Sequence, residues 1–579
     1  MSAVSTGDTT FARVLAERAG RTPSHPAFTF LLDGETQEER FTYAELDARA
    51  RAVGALLADA AAPGDRVILL FPPGLEYVAA VFACFAADVI AVPAYPPNPA
   101  RLTRTLPRLL AIIADAQPRA ILTTPEISAM ADALAGIAPD LAAATWLSTG
   151  DARDGEPTRS PRPDSVALLQ YTSGSTGDPK GVMLTHRNLL HNADYIQRRL
   201  RTSPESRFVF WLPPYHDMGL IGGILAPANT GCESTLMSPL SFIEKPIRWL
   251  EAVTRRRGTV SGGPNFAFDL CARRVTEGQR QHLDLASWEV AFNGSEPVRA
   301  ETLEAFAGAF RSCGLRPEAL YPCYGLAEAT LLVTGGRTLT PAVVRTLDAE
   351  ALAEHRVAPP GAGRAAALVG CGRPSEDQAV AIADPETGAR CGPDRIGEIR
   401  VAGPSVAAGY WGRPDATAET FGARLAGSAD GPFLRTGDLG FVDEGGELFV
   451  TGRIKDVIKV RGRSHYPTDV ERVAEASHPA VRRSCTAALA VTDSEQGTRL
   501  AVVAEVSQEP GVVPGDVIRA IRTSVAAELE LQVHWVALLA PRSIPKTSSG
   551  KIQRSRCREL LTGDRFEGVV ASWRTAAPW

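Results

Sequence analysis

The chain has 579 residues and a mass of 61.6 kDa, enough for two to four folding units at roughly 100–200 residues each. Hydrophobic residues make up 45% and charged residues 22%, which excludes wholesale disorder, and a formal charge of −5 excludes the basic surface that dominates nucleic-acid binding. There is no run of the roughly 18 apolar residues that a membrane helix needs, no secretory start and no CxxC pair among nine single cysteines, so the expectation is a soluble cytoplasmic protein without structural zinc or disulfides.

In chain order, Ala44–Ala60 carries Leu46, Ala50, Val53, Leu57 and Ala60 at helical spacing. Arg66–Phe71 is a short apolar run that Pro72 and Pro73 stop; Leu75–Ala87 is helical again, and Val89–Val92 is β-branched before Pro93. Leu106–Ala116 and Ala120–Thr123 repeat the scheme. Short buried strands alternating with amphipathic helices predict βαβ units and a mostly parallel sheet, an α/β fold. The proline-rich connection Gly155–Ser165 leads into a strand at Val166–Tyr171, and the alternation continues through Phe208–Leu212, Ile247–Arg257, Glu289–Phe292 and Thr302–Cys313. From about Thr334 to Gly363 the pattern loosens into Gly, Pro and Ala with one helical patch, Leu347–His355; it reads as an insertion or long loop, a kind of segment that often carries function. From Arg453 onward there are 19 basic and 14 acidic residues, a net +5, which leaves −10 on residues 1–452 and suggests a domain boundary there.

The sharpest local signal is Tyr171–Gly181, YTSGSTGDPKG, directly after an apolar strand. Glycines let the backbone approach an anion, successive N–H groups and hydroxyls supply donors, and Lys180 supplies charge. No Gly-Lys-Ser/Thr closes it, so it is not a Walker loop. Only six of the 61 basic residues are lysine (180, 245, 455, 459, 546 and 551), so a retained lysine hints that a compact, flexible ammonium is wanted.

This segment resembles the phosphate loop of the adenylate-forming superfamily of acyl-CoA synthetases, adenylation domains and luciferases. Further motifs follow in that superfamily's order: Tyr324–Glu328 (YGLAE), Gly397-Glu398, Arg435–Asp438 (RTGD), Gly452–Asp456 (GRIKD) and Pro545–Lys551 (PKTSSGK). A narrower resemblance spans nearly the whole chain. Val89–Pro97, Trp211–Leu225 (WLPPYHDMGLIGGIL), Ser261–Cys271, Phe292–Arg299, Tyr324–Leu331 and Val460–Glu471 are similar to fatty acyl-AMP ligases. That subgroup carries an extra segment where the loose stretch at Thr334–Gly363 lies, implicated in keeping coenzyme A from being the acceptor.

The resemblance implies a large N-terminal body of stacked mixed sheets, residues 1–452, and a small mobile α/β C-terminal domain, residues 453–579. It implies roles position by position. Thr172, Ser173, Gly174, Ser175, Thr176, Gly177 and Lys180 would hold the leaving phosphates; Asn293, Gly294 and Ser295 would lie along the adenine, and Tyr324 and Gly325 would complete the nucleotide site, the tyrosine stacking on the base. Glu328 would reach Mg²⁺, a hard cation suited to carboxylate and phosphate oxygens. Asp438 would accept from the ribose hydroxyls, Arg453 would steady ribose or phosphate, and Lys455 would mark the hinge. Lys551 would be the catalytic lysine, and Glu328 and His216 would join it as catalytic residues, His216 as a pocket residue. Taken singly, each has a plainer reading: Glu328 a surface carboxylate, Asp438 a turn residue, His216 a satisfied histidine near a turn, Lys551 a solvated loop lysine. The motif order argues against those readings. Ser295 stands where the subgroup usually has alanine, Asp88 where it has glycine, Phe268 where a tyrosine is common, and Lys459 where an aliphatic residue is more frequent.

The implied reaction is ATP-dependent activation of a medium- to long-chain fatty acid to acyl-adenylate, with Mg²⁺, then transfer to the phosphopantetheine thiol of an acyl carrier protein supplied in trans. Three alternatives remain: coenzyme A as acceptor, activation of an aromatic or amino acid, and a nucleotide-binding scaffold without chemistry.

Overall fold

The structure is a computed structural model, and it describes residues 9–96, 102–131, 141, 144–157, 159–172, 179–460, 463–493, 497–547 and 550–575. Two large sheets form the body. One has eight strands in the order Leu332–Gly335, Leu320–Gly325, Val290–Asn293, Val260–Gly263, Arg207–Phe210, Glu233–Met237, Pro26–Leu31 and Glu38–Thr42. Its six inner strands are parallel and its two edge strands antiparallel. The other has six strands, in the order Thr145–Ser148, Ala120–Thr123, Arg66–Leu70, Ile90–Ala94, Val166–Thr172 and Lys180–Thr185, with only the last pair antiparallel. The inner strands are buried almost throughout, as parallel strands covered on both faces must be, which is why they read as unbroken apolar runs.

Two of the long helices between the strands start at reciprocal side-chain caps. Thr42 and Glu45 form a reciprocal capping box on Tyr43–Ala60, and Thr185 with Asn188 does the same for His186–Leu200; each such cap contributes about 1 kcal/mol. Asp88, which stands where the subgroup usually has glycine, directly follows the C-cap of Leu75–Ala86 with φ +53°, a left-handed conformation in which glycine would be unstrained.

A third, antiparallel sheet joins Ala379–Ala383, Gly397–Ala402, Leu434–Val442 and Leu448–Arg453. The C-terminal unit has its own four-stranded sheet, Val481–Asp493, Gly497–Val506, Val533–Leu539 and Val569–Arg574. Helices Pro467–Ala476 and Pro514–Leu529 bury Val470, Val473, Ile521 and Val525 on one of its faces; Arg554–Thr562 packs Cys557 and Leu561 on the other. The mixed α/β architecture of a large N-terminal body and a small C-terminal domain is therefore present.

The stretch Thr334–Gly363 departs from the expected loop with one helical patch. Val344–Asp348 is a strand paired antiparallel with Ala365–Val369, and the helix is confined to Ala349–Ala353, where the Asp348 side chain accepts from the N–H groups of Glu350 and Ala351. Leu347 and Leu352 are buried against Phe441, Phe449 and Tyr466, so one apolar cluster spans this segment, the third sheet and the start of the C-terminal unit. His355 Nε2 lies 2.9 Å from Ser464 Oγ, and Arg364 donates to the Glu528 carbonyl at 2.7 Å. Periodicity misassigned the strand because three of its five residues are exposed.

Candidate active site

Asn293 ends a central strand of the eight-stranded sheet, fully buried. Its Nδ2 donates to Asn265 Oδ1 at 3.5 Å, while its Oδ1 has no partner among the described residues, an acceptor left open in a buried position. A Cβ on Gly294 would lie 2.9 Å from the Cys323 carbonyl, so this backbone approach needs glycine. Ser295 follows in a left-handed conformation, φ +72°.

Tyr324, at the end of the next strand, donates its hydroxyl to Asp438 Oδ2 at 2.8 Å. Asp438 Oδ1 takes the Arg453 Nε–H at 3.0 Å, and the two residues face each other across paired strands of the third sheet. The Asp438 carboxylate holds the Arg453 guanidinium above its ordinary value. A Cβ on Gly325 would meet the Leu331 carbonyl at 1.9 Å, so only glycine allows the tight loop that carries Glu328. Thr330 closes that loop at φ +67°, ψ −67°, a rare turn anchored by its hydroxyl on the Ser405 carbonyl at 2.6 Å.

Glu328 Oε1 accepts from the Tyr410 hydroxyl at 3.0 Å. Burial pushes the Glu328 carboxyl upward, opposed by its backbone N–H, Tyr410 and Arg453 and reinforced by Asp217. Thr172 and Lys180 face each other where the Val166–Thr172 and Lys180–Thr185 strands pair. Ser173, Gly174, Ser175, Thr176 and Gly177 lie outside the described residues. The Lys180 ammonium sits 4.8 Å from the centroid of the Tyr410 ring.

His216 is pulled down to about 3 by burial first and then by the Arg108 and Lys551 cations. Beside it, the Asp217 carboxylate accepts from Met218 N–H at 2.7 Å; burial raises it, and Lys551 offsets that. Lys551 comes from the C-terminal unit. Burial lowers its ammonium, the Asp217 carboxylate opposes the lowering, Arg453 adds to it, and Glu296 and Asp438 oppose it. Glu296, raised by burial, accepts from Phe266 N–H at 2.6 Å. Lys455 is exposed on the turn after Arg453.

The structure thus brings Tyr324, Glu328, Asp438, Arg453, His216 and Lys551 into one electrostatically coupled group. Lys455 lies on the exposed connection leading out of it. Sequence reasoning missed Asp217, Glu296 and Tyr410. The first two stand inside quoted motifs, next to His216 and Ser295, and for Asp217 a carboxylate leading an apolar run was the available signal. Tyr410 had no such signal.

Similarity to known proteins extends over most of the chain. Residues 15–411 match the family described as AMP-binding enzyme, and residues 455–565 match the Disco-interacting protein 2-like AMP domain. The chain is 45% identical over 575 residues, 97% of its length and 96% of the other, to the medium-chain-fatty-acid–[acyl-carrier-protein] ligase JamA of Moorena producens. It is 39% identical to the fatty acyl-adenylate ligase of L. pneumophila solved with acyl adenylate and pyrophosphate (TM-score 0.74, 98% of each chain). It is 32% identical to a structure from a study of fatty acyl-adenylate ligases from E. coli and L. pneumophila (TM-score 0.87, 97% of this chain and 99% of that one). The chain belongs to the AMP-binding, adenylate-forming enzymes, and within them to the fatty acyl-AMP ligases.

Proposed function

We propose that this enzyme joins a medium- to long-chain fatty acid to ATP and hands the acyl group to the phosphopantetheine thiol of an acyl carrier protein. In the first step a carboxylate oxygen attacks the α-phosphorus, the bond to the bridging oxygen breaks, and pyrophosphate leaves. In the second, the thiol attacks the acyl carbon, gives up its proton, and AMP leaves. The observation that carries this reading is the placement of Lys551, from the C-terminal unit, in the electrostatic field of Asp217, Glu296 and Asp438 of the body and of Arg453 at the boundary.

Two anions meet in the first step, and charge grows on the phosphorus. A partly desolvated ammonium from a separate unit lowers that barrier by position and by electrostatics. Asp438 suits the ribose hydroxyls, and Arg453, paired with it at 3.0 Å, holds that carboxylate in position. Tyr324 offers its ring face to the adenine and the open Asn293 Oδ1 an acceptor for the exocyclic amine. Thr172 through Gly177 and Lys180 are assigned to the leaving phosphates, Gly294, Ser295 and Gly325 to close backbone approach, His216 to the acyl–phosphate junction as a neutral imidazole, and Lys455 to the hinge.

Glu328 fits a divalent cation: a half-buried carboxylate raised by desolvation and by a second carboxylate, Asp217, gains from a positive charge beside it. Glu328 would hold Mg²⁺ jointly with substrate phosphates, and the ion when bound would neutralise charge on the departing pyrophosphate. Among the described residues no helix is long and apolar enough to cross a membrane.

The test is a mass-spectrometric product assay with ATP, Mg²⁺ and a panel of carboxylic acids, alone, with coenzyme A, and with a phosphopantetheinylated carrier. Acyl-AMP that persists beside coenzyme A and loads the carrier is the expected result. Rapid acyl-CoA formation would move the acceptor to coenzyme A; preference for aromatic or amino acids would overturn the substrate class.

A further inference from the structure

Tyr410 stands between two groups of the proposed chemistry that come from different parts of the body. Its hydroxyl donates to Glu328 Oε1 at 3.0 Å, and its ring face carries the Lys180 ammonium at 4.8 Å from the centroid. The ring is 6% exposed and packs edge-on against Phe421 at 5.1 Å. Its backbone is held from both sides. Met183 N donates to Gly409 O, Ala408 N to Met183 O and Trp411 N to Gly181 O, at 2.8–3.0 Å, which stitches residues 408–411 to the strand that Lys180 begins. On the other side Ala407 N donates to the Glu328 carbonyl at 2.9 Å. One short segment therefore fixes the main chain beside both functional side chains, and one phenol fixes the side chains themselves.

Resting on the function given above, we infer that Tyr410 is a positioning residue for the adenylation step. Its hydroxyl aims the Glu328 carboxylate for the metal ion, and its ring holds the Lys180 ammonium ready for the β- and γ-phosphates. A phenol suits both tasks. The O–H orients the carboxylate through one of its oxygens, and the ring face attracts a cation that a stronger anionic ligand can still take. A purely structural tyrosine would explain the packing on Phe421, but not why the hydroxyl ends on Glu328 or why an ammonium lies on the ring.

Two substitutions separate the tasks. Tyr410→Phe removes the hydroxyl and keeps the ring; Tyr410→Leu removes both. The full-length chain is titrated with Mn²⁺ in the presence of ATP and without any fatty acid, bound Mn²⁺ being read by electron paramagnetic resonance. ATP binding in EDTA is measured by calorimetry, and melting temperatures are recorded. Pyrophosphate release with dodecanoic acid and the rest of the acid panel is followed in parallel.

The expected result is that Tyr410→Phe weakens Mn²⁺ binding about three- to tenfold and leaves metal-free ATP binding within about twofold, whereas Tyr410→Leu weakens both. Adding Tyr410→Phe to Glu328→Gln should produce no further loss of Mn²⁺ affinity, because the phenol acts through that carboxylate. If the wild-type chain binds Mn²⁺ with ATP and releases pyrophosphate, but Tyr410→Phe matches it in Mn²⁺ affinity, the inference about Tyr410 falls and the function stands. If the wild type does neither with any acid of the panel, the function falls and this inference with it. A lowered melting temperature with unchanged Mn²⁺ and ATP affinities would mean a packing role only, and would overturn the proposal.

Discussion

The Tyr324 hydroxyl and the Asp438 carboxylate, 2.8 Å apart, join the end of a strand next to the edge of the eight-stranded sheet to the third sheet, across the proposed nucleotide site. The bond fixes the tyrosine ring against rotation and orders the carboxylate before ATP arrives. Tyr324→Phe keeps the ring and loses one hydrogen bond, so stability should fall by about 1 kcal/mol and ATP affinity by less than about fivefold. Tyr324→Ala should lower ATP affinity by more than about tenfold through lost stacking. Calorimetric titration of both variants decides this; equal losses would remove the stacking role.

Lys551→Ala should reduce pyrophosphate release by at least about 100-fold, while ATP affinity stays within about threefold, because the ammonium acts on charge that develops in the transition state. Normal pyrophosphate release in that variant would exclude the assignment.

Burial lowers the Lys551 ammonium below the ordinary 10.5, so the rate should be lost as pH rises through this lowered value, at a lower pH than for a free lysine. The residual rate of Lys551→Arg should remain flat to higher pH, since a guanidinium stays charged. His216, pulled down to about 3, stays neutral across pH 5–9 and should add no acidic limb in that range. A pH–rate profile of both enzymes tests this, and an alkaline limb that does not move in Lys551→Arg counts against it.

Glu475 of the C-terminal unit lies 3.8 Å from Arg299 of the body, with only 7% of its side chain exposed. Burial raises its carboxyl to about 7, Arg299 opposes that, and Glu471 and Asp269 add to it. A carboxyl raised in the folded state destabilises that state when ionised. The penalty is full above about pH 7 and fades as pH falls toward the unfolded value of 4.5. Glu475→Gln should therefore stabilise the protein by about 1–3 kcal/mol at pH 8.5 and by much less at pH 5. Thermal melts at the two pH values check this; a gain independent of pH would refute it.

Two polar contacts hold the 344–369 segment to the C-terminal unit, His355 to Ser464 at 2.9 Å and Arg364 to the Glu528 carbonyl at 2.7 Å. If this segment limits the acceptor by restraining that unit, His355→Ala combined with Arg364→Ala should let acyl-CoA accumulate where the parent chain forms little. Identical product ratios, measured by mass spectrometry with coenzyme A present, would separate the segment from acceptor choice.

The order of motifs from Tyr171 to Lys551, and the alternation of buried apolar runs with amphipathic helices, determined the α/β fold and the residue types of the site from sequence alone. Both are local signals: glycines at close approaches, a carboxylate after a glycine, strands buried on two faces. Only the tertiary structure decided that Asp217 and Glu296 surround Lys551, that Tyr410 links Lys180 to Glu328, and that Glu475 meets Arg299 between the body and the C-terminal unit. It also turned part of an apparent loop into a strand, Val344–Asp348, and confined the expected helical patch to Ala349–Ala353. The physical reason is the same in each case. A carboxylate or phenol acquires its character from burial and from the charges that face it, and those partners come from strands and helices far apart in the chain, where no spacing in the sequence records them.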